Sequence, residues 1–512
     1  MAMSSNRREV IRTMLSASIG AALPASKLMD SNATSSTAAL EPPDFEPLRN
    51  RIRQAIAKGG ATGVAIAVAH GGRVVLEEGF GWANREAGVK VTPHTPFSMA
   101  SITKPFTATT LMTLVAEGKL SLDEPANRYL AKSRIEGTNG NAEEAAVRLL
   151  GGHVSGLPGM FESYDRDEAQ LALSPDALLR EYGRLAYPPG SCYEYSNIGF
   201  AALDAIASNL TGKDVGTLMQ QRVLSPLGLH NSFFDTSVAR LSAAAARYDS
   251  LGHGIPYYTT STPASGELYA SAHDLAGFAM FTMKNRVEGQ KRILEDRWVD
   301  ELHRTVFVGP SGVATTFGWF TGHLKSGVPF IFKGGGQAGV ATIMYMVPSE
   351  NLACLVLTNQ SNARELAYSV CDQLAAAYLP EWRGPQEYSG FQPSPFVATA
   401  KFRGQWEGRL MDGGADMQVR LNIESSDTAT FALGRNQAEK ITEMRLEGEA
   451  FTGNSTGLID SPDTMRTGAK TLGIKLLPHD SKLVGRVFAT AGDPNFKNVR
   501  LPYVLTLDRV SG

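Results

Sequence analysis

Apolar residues follow a two-residue period near residue 64 and again beyond residue 415, with a helical period over much of the chain between. Val64, Ile66 and Val68 alternate with small residues, and His70-Gly71-Gly72-Arg73 turns the chain into Val74-Val75-Leu76. This predicts a β-hairpin. From Phe106 to Glu117 the residues Phe106, Leu111, Leu114 and Val115 keep helical spacing, and Gly118 stands where a C-terminal cap belongs. Between about 120 and 310 the pattern is mostly helical, interrupted by turns such as Ala186-Tyr187-Pro188-Pro189-Gly190. Ser271-Ala272-His273-Asp274 reads as a capping box opening a helix. Strands are expected at 330–332, 342–347 and 352–358, and a last helix over 365–379 with Leu366, Val370 and Leu374 on one face.

The pattern then changes. Pro380, Gly384, Pro385, Gly390, Pro393 and Pro395 mark a linker over 380–396. Beyond it Met417, Val419, Leu421 and Ile423 alternate with Gln418, Arg420, Asn422 and Glu424. Leu472, Ile474 and Leu476 alternate with Gly473 and Lys475, and Tyr503, Leu505 and Leu507 with Val504 and Thr506. Short strands separated by turns predict a small antiparallel β-barrel over 397–512.

Folded structure is expected to begin near Phe45. Ahead of it, Asn6-Arg7-Arg8-Glu9 precedes an uncharged stretch from Thr13 to Ala25, the layout of a twin-arginine export signal. Residues 1–40 are therefore excluded from the fold, and an exported, periplasmic or secreted protein is expected. No apolar run reaches the roughly 18 residues that a spanning helix needs. A net charge of -2 on 512 residues recommends neither nucleic acid nor an anionic membrane as partner. The three cysteines, Cys192, Cys354 and Cys371, form no disulfide framework, and no histidine spacing suggests a metal, so no cofactor is expected.

Three short segments could carry chemistry. In Ser101-Ile102-Thr103-Lys104, at a helix start, the lysine amine can lie beside the serine hydroxyl one turn back. A serine is a poor nucleophile until a base takes its proton, and a desolvated lysine near another cation suits that task. In Tyr195-Ser196-Asn197 a phenol could exchange protons, and an amide could bind a substrate amide. In Lys333-Gly334-Gly335-Gly336 the glycines let a substrate backbone approach, the Gly336 N–H could pair with that of Ser101 as an oxyanion hole, and Lys333 could neutralise a carboxylate. Taken singly, each also fits a plain structural reading: an exposed helix start, a half-buried core tyrosine, a hairpin turn.

Their order along the chain resembles the serine β-lactamase and penicillin-binding protein superfamily. The Tyr-x-Asn form is similar to the class C β-lactamase-like branch, which also holds D-alanyl-D-alanine peptidases, D-aminopeptidases and esterases. Phe97-Ser98-Met99-Ala100-Ser101, Gly118-Lys119-Leu120-Ser121-Leu122-Asp123, 149–158 and 266–271 strengthen the likeness, which covers roughly residues 45–379. The resemblance implies an α/β fold of the β-lactamase/transpeptidase type, an antiparallel sheet flanked by helices with a helical subdomain. It further implies Ser101 as nucleophile, Lys104 and Tyr195 as proton carriers, and Asn197, Lys333, Gly335 and Gly336 as substrate-binding and oxyanion groups. The substrate would be a β-lactam, a D-amino acid derivative, a short peptide or an ester. The segment after the linker resembles lipocalin-like barrels appended to members of this superfamily, which often shape the cleft entrance.

The pattern departs from the family at Gly334, where threonine or serine usually contacts a substrate carboxylate; its absence argues against efficient β-lactam hydrolysis. Cys192, beside the tyrosine motif, has no role beyond filling space. Gly453-Asn454-Ser455-Thr456-Gly457 matches a nucleophile elbow but lies in barrel sequence without β–α alternation. His153 belongs to a structural turn and His273 to a solvated helix start. The alternative to an enzyme is a penicillin-binding sensor or scaffold with little turnover.

Overall fold

A computed structural model describes residues 43–234, 238–309, 314–385, 393–492 and 498–510. The proposed export signal and its lead lie outside them. Residues Asp44–Gly512 form one compact unit. Among the described residues no helix is long and apolar enough to cross a membrane.

The alternation at residue 64 becomes an inner strand of a nine-stranded antiparallel sheet, Gly63–His70, paired with Arg73–Asn84 on one side and Leu352–Thr358 on the other. Successive side chains point to opposite faces. Val64, Ile66 and Val68, with Ile343, Tyr345, Cys354 and Val356, meet helix Glu46–Ala57 and helix Arg364–Tyr378. The small residues between them, Ala65, Ala67 and Ala69, face the other layer with Met344, Leu355 and Leu357, and join Phe106, Phe200 and Phe278 of the buried helices Thr103–Ala116, Asn197–Thr211 and Ala272–Thr282. Alanines on that face let apolar helices pack close.

The expected elements appear with shifted bounds. The helix assigned to 106–117 starts at Thr103, Gly118 follows it with φ +68°, and Ser271 caps its helix by accepting from Asp274 N at 3.1 Å. The helix Glu46–Ala57 was not expected from the pattern, and the stretch 120–310 contains short strands besides helices. The strand expected at 330–332 runs on through all three glycines, as Pro329–Gln337.

The C-terminal alternation forms a second, barrel-like antiparallel sheet, with Val419, Leu421, Leu472, Ile474, Leu476, Tyr503, Leu505 and Leu507 inside. Its outward face is not all wet. Val484, Val504, Leu477 and Ala450 pack on Ala186 and Tyr187 of the Pro/Gly turn, with Cys192 against them. Lys475, expected on a polar face, is 3% exposed because that face lies against the N-terminal part of the chain. The sheet also reaches across directly. Strand Phe161–Asp165 pairs with Val499 and Arg500 on one edge and with Tyr258–Thr260 on the other. Ser455 sits within strand Ala450–Thr456, 5% exposed and donating to Lys440 O, so it occupies no elbow.

Candidate active site

Ser101 lies in a 3₁₀ turn, Ala100–Ile102, that runs into helix Thr103–Ala116. The preceding Ala100 has φ +44°, a left-handed conformation unusual for a residue with a Cβ. Neighbouring strands hold this turn: Met99 N donates to Leu268 O at 2.8 Å, and Thr342 Oγ1 donates to Met99 O at 3.2 Å. The next residue along strand Pro329–Gln337 that shares the Lys333 face is Gly335. A Cβ there would lie 2.2 Å from Met99 O, so glycine is required for the strand to approach the serine turn. Strand Phe320–His323 pairs only as far as Phe332, leaving the edge of residues 333–337 free to face that turn.

One turn along the helix, Lys104 Nζ is 3.4 Å from Ser101 Oγ and donates to Ser265 O at 3.0 Å. Tyr195 Oη donates to Ser101 Oγ at 2.9 Å. Lys104 is fully buried, and no carboxylate pairs with it among the described residues. Beyond the Ser101 and Ser265 contacts its nitrogen has aromatic rings nearby, Tyr195 at 4.8 Å and Phe200 at 5.3 Å. Burial, and secondarily the charge of Lys333, hold its pKa well below the usual lysine range. Lys333 is equally buried, 4.4 Å above the Phe320 ring, and burial brings it to about 7. Tyr195 moves the other way, because burial disfavours its phenolate. The arrangement is a lysine whose burial favours the neutral amine and a tyrosine whose burial favours the protonated phenol, converging on one hydroxyl.

The Tyr195 segment is held from several sides. Ser196 caps helix Asn197–Thr211 by accepting from Gly199 N, donates to Pro158 O, and its N–H donates to His153 Nδ1 at 3.2 Å. His153, at φ +60°, lies 4.2 Å from the Tyr195 ring and is kept neutral by burial and the two lysines. Asn197 donates to Met160 O at 2.8 Å, so one amide hydrogen is committed to the protein. Asn197 Oδ1 and Lys333 Nζ are buried without a hydrogen-bond partner.

Ser101, Tyr195, Asn197 and Gly336 line one cleft with about 600 Å³ of open space. Lysines 104 and 333 lie beneath it. A Cβ on Gly336 would meet nothing within 4 Å, as befits a position open to the cleft. Sequence reading missed two of the participants. Ser265 contributes a backbone carbonyl, which carries no side-chain signal. Arg500 lines the cleft from the barrel-like sheet, about 400 residues along the chain from Ser101. Two other Lys-x-Gly triplets occur, Lys58-Gly59-Gly60 just after helix Glu46–Ala57 and Lys325-Ser326-Gly327 in an exposed turn where Ser326 bonds Glu381. Away from the cleft lining, Glu77, His94 and His273 bring their ligand atoms within 4.8 Å of one another, with His273 Nδ1 2.8 Å from Glu77 Oε2.

Gly334 faces the other side of its strand. A Cβ there would lie 2.2 Å from the Tyr368 hydroxyl and 3.4 Å from Ile343 Cδ1. The glycine therefore makes room for a tyrosine from helix Arg364–Tyr378, and a threonine cannot be restored without moving it. Gly334→Thr is expected to destabilise the fold by about 1–3 kcal/mol through overpacking. The lowered denaturant midpoint should recover in part in the Gly334→Thr/Tyr368→Ala double variant.

Over 322 residues the chain is 25% identical to Protein flp of Staphylococcus aureus (strain COL), an alignment covering 60% of this chain and 61% of flp. The chain thus spans less than two thirds of that relative's length. Over 197 residues it is 30% identical to Esterase EstB of Burkholderia gladioli, covering 35% of this chain and 49% of EstB. The solved structure of an octameric penicillin-binding protein homologue from Pyrococcus abyssi superimposes with a TM-score of 0.56 at 22% identity, over 90% of this chain and all of that one. The family model described as Beta-lactamase matches residues 48–370, more than half of the sequence, and the chain belongs to that beta-lactamase family.

Proposed function

We propose that the protein is a serine hydrolase that cleaves esters or amides through an acyl-enzyme on Ser101. One observation carries this reading: a fully buried Lys104 amine, without a carboxylate partner among the described residues, lies 3.4 Å from a hydroxyl that also accepts from Tyr195. A lysine held neutral is a base, and the serine proton is within its reach. Ser101 Oγ attacks the substrate carbonyl carbon while its proton moves to Lys104. The oxygen that gains negative charge is received by the N–H groups of Ser101 and Gly336. Collapse breaks the bond to the leaving group, which takes a proton from Tyr195, and Lys104 returns one to the phenol. Water then attacks the ester with the same groups in reverse. Asn197 Oδ1 is free to accept from a substrate N–H, and the charge of Lys333 adds to burial in lowering the Lys104 pKa.

Resemblance to a protein named an esterase supports small esters over β-lactams. Turnover of p-nitrophenyl esters is expected to exceed nitrocefin turnover by about tenfold or more in kcat/KM. Nitrocefin turnover equal to or faster than ester turnover contradicts the substrate assignment. Export by the twin-arginine route remains part of this proposal, resting on Arg7-Arg8 and the segment that follows. So do the boundaries given above and the lipocalin-like character of the barrel.

A further inference from the structure

Among the described residues the cleft around Ser101 has no acidic residue in its lining, and the one cation lining it, Arg500, comes from the barrel-like sheet. Arg500 is placed by strand pairing. It stands opposite Phe161 in the register that joins Asn498–Arg509 to Phe161–Asp165, and the latter strand pairs onward with Tyr258–Thr260. Phe161 and Thr260 line the same cleft. The guanidinium lies 5.1 Å from the Phe488 ring, whose edge reaches toward Gly159 in the cleft wall. Among the described residues no carboxylate or carbonyl accepts a hydrogen bond from the Arg500 side chain. Its neighbour Arg486 differs, being taken up by Glu194 Oε1 at 3.2 Å and Gly473 O at 2.9 Å. Arg500 is also the cation that keeps its full charge here. Burial lowers the pKa of Lys104 and brings Lys333 to about 7; burial and Arg486 also lower that of Arg500, but a guanidinium stays protonated across the working range.

We propose that Arg500 is the anchor for a carboxylate on the substrate, which narrows the substrate class to esters or amides carrying a free carboxyl group. The guanidinium presents a planar fork of donors that matches a carboxylate in bidentate fashion. Its place near the Phe488 ring, which also carries Arg486 at 3.8 Å, uses none of its donors. The second sheet then supplies part of the binding site as well as packing against its back. This inference rests on the Ser101 hydrolase reading and adds to it a specificity that the N-terminal residues alone do not provide.

The test uses matched pairs of substrates on the full chain. The acyl side is probed with p-nitrophenyl monoesters of succinic, glutaric and adipic acid against their monoamides. The leaving-group side is probed with N-acetyl-D-alanyl-D-alanine against its C-terminal amide. For at least one pair the wild type is expected to favour the acid by about tenfold or more in kcat/KM. In Arg500→Gln that acid-to-amide ratio should fall to near one, and Arg500→Lys should restore part of it. General damage to the fold or to Ser101 lowers both members of a pair and leaves the ratio alone. A ratio near one for every pair in the wild type, or a ratio unmoved by Arg500→Gln, overturns the anchor while leaving the hydrolase reading standing. If no pair is turned over, protection of Ser101 from a fluorophosphonate by glutarate and by glutaramate is compared. Equal protection overturns the anchor, and absence of any adduct on Ser101 overturns the hydrolase reading itself.

Discussion

Lys104→Met is expected to slow acylation of Ser101 by about 10²–10⁴-fold, the usual worth of one general base, without lowering the denaturation midpoint. The substitution keeps an apolar stem in a site that is already fully buried, and it removes an amine that has no carboxylate partner. The pH profile should show why the amine matters. Lys104 acts as a base only when neutral, so the wild-type rate falls as pH drops through its depressed pKa. Lys333 contributes part of that depression. In Lys333→Met the like charge is gone, Lys104 binds its proton more readily, and the acid limb should move to higher pH. Burial remains the larger cause, so the limb should stay well below the ordinary lysine range. Rates of fluorophosphonate labelling against pH check both points. Near-normal labelling in Lys104→Met, or a limb that moves to lower pH in Lys333→Met, would show the proton acceptor to be another group.

The second large effect concerns the joint between the sheets. Glu194, next to Tyr195 in sequence, meets Lys475 Nζ at 3.1 Å and Arg486 Nε at 3.2 Å, all three side chains nearly buried. Both cations come from the barrel-like sheet, and Lys475 also donates to Tyr193 O at 2.8 Å. Glu194→Ala leaves two buried cations facing each other and is expected to destabilise the protein by about 3–5 kcal/mol. The lower end is expected, because Lys475 keeps Glu447 at 3.0 Å and Arg486 keeps Gly473 O. Glu447 is 41% exposed, and Glu447→Ala should change stability by less than about 1 kcal/mol. Denaturant unfolding distinguishes the two variants. A change below 1 kcal/mol for Glu194→Ala would mean that the triad does not hold the Tyr195 segment to the barrel.

These cases mark where the sequence was informative. Ser101 and Lys104 are three residues apart, and local helix geometry alone brings them together. Tyr195, Asn197 and Lys333 came from the order of motifs rather than from any periodicity, because their contacts with Ser101 span about 100 residues or more. The alternations at 64–68, 417–423, 472–476 and 503–507 identified inward faces correctly. They could not reveal that an outward face would be covered, which is why Lys475 read as a surface residue and Arg500 drew no notice. Gly334 read as a lost hydroxyl. Its cause, the Tyr368 phenol from a helix some 35 residues on, is a packing fact that no local pattern encodes. Cys192 likewise becomes intelligible only as filler between the turn 186–190 and the second sheet.

The central claim is that Ser101 is the residue acylated. Intact-protein and peptide mass spectrometry after reaction with a fluorescent penicillin or a fluorophosphonate tests it most directly. A single adduct on Ser101, lost in Ser101→Ala, is the predicted result. An adduct on Ser455 or another residue, or labelling that survives in Ser101→Ala, would contradict the account.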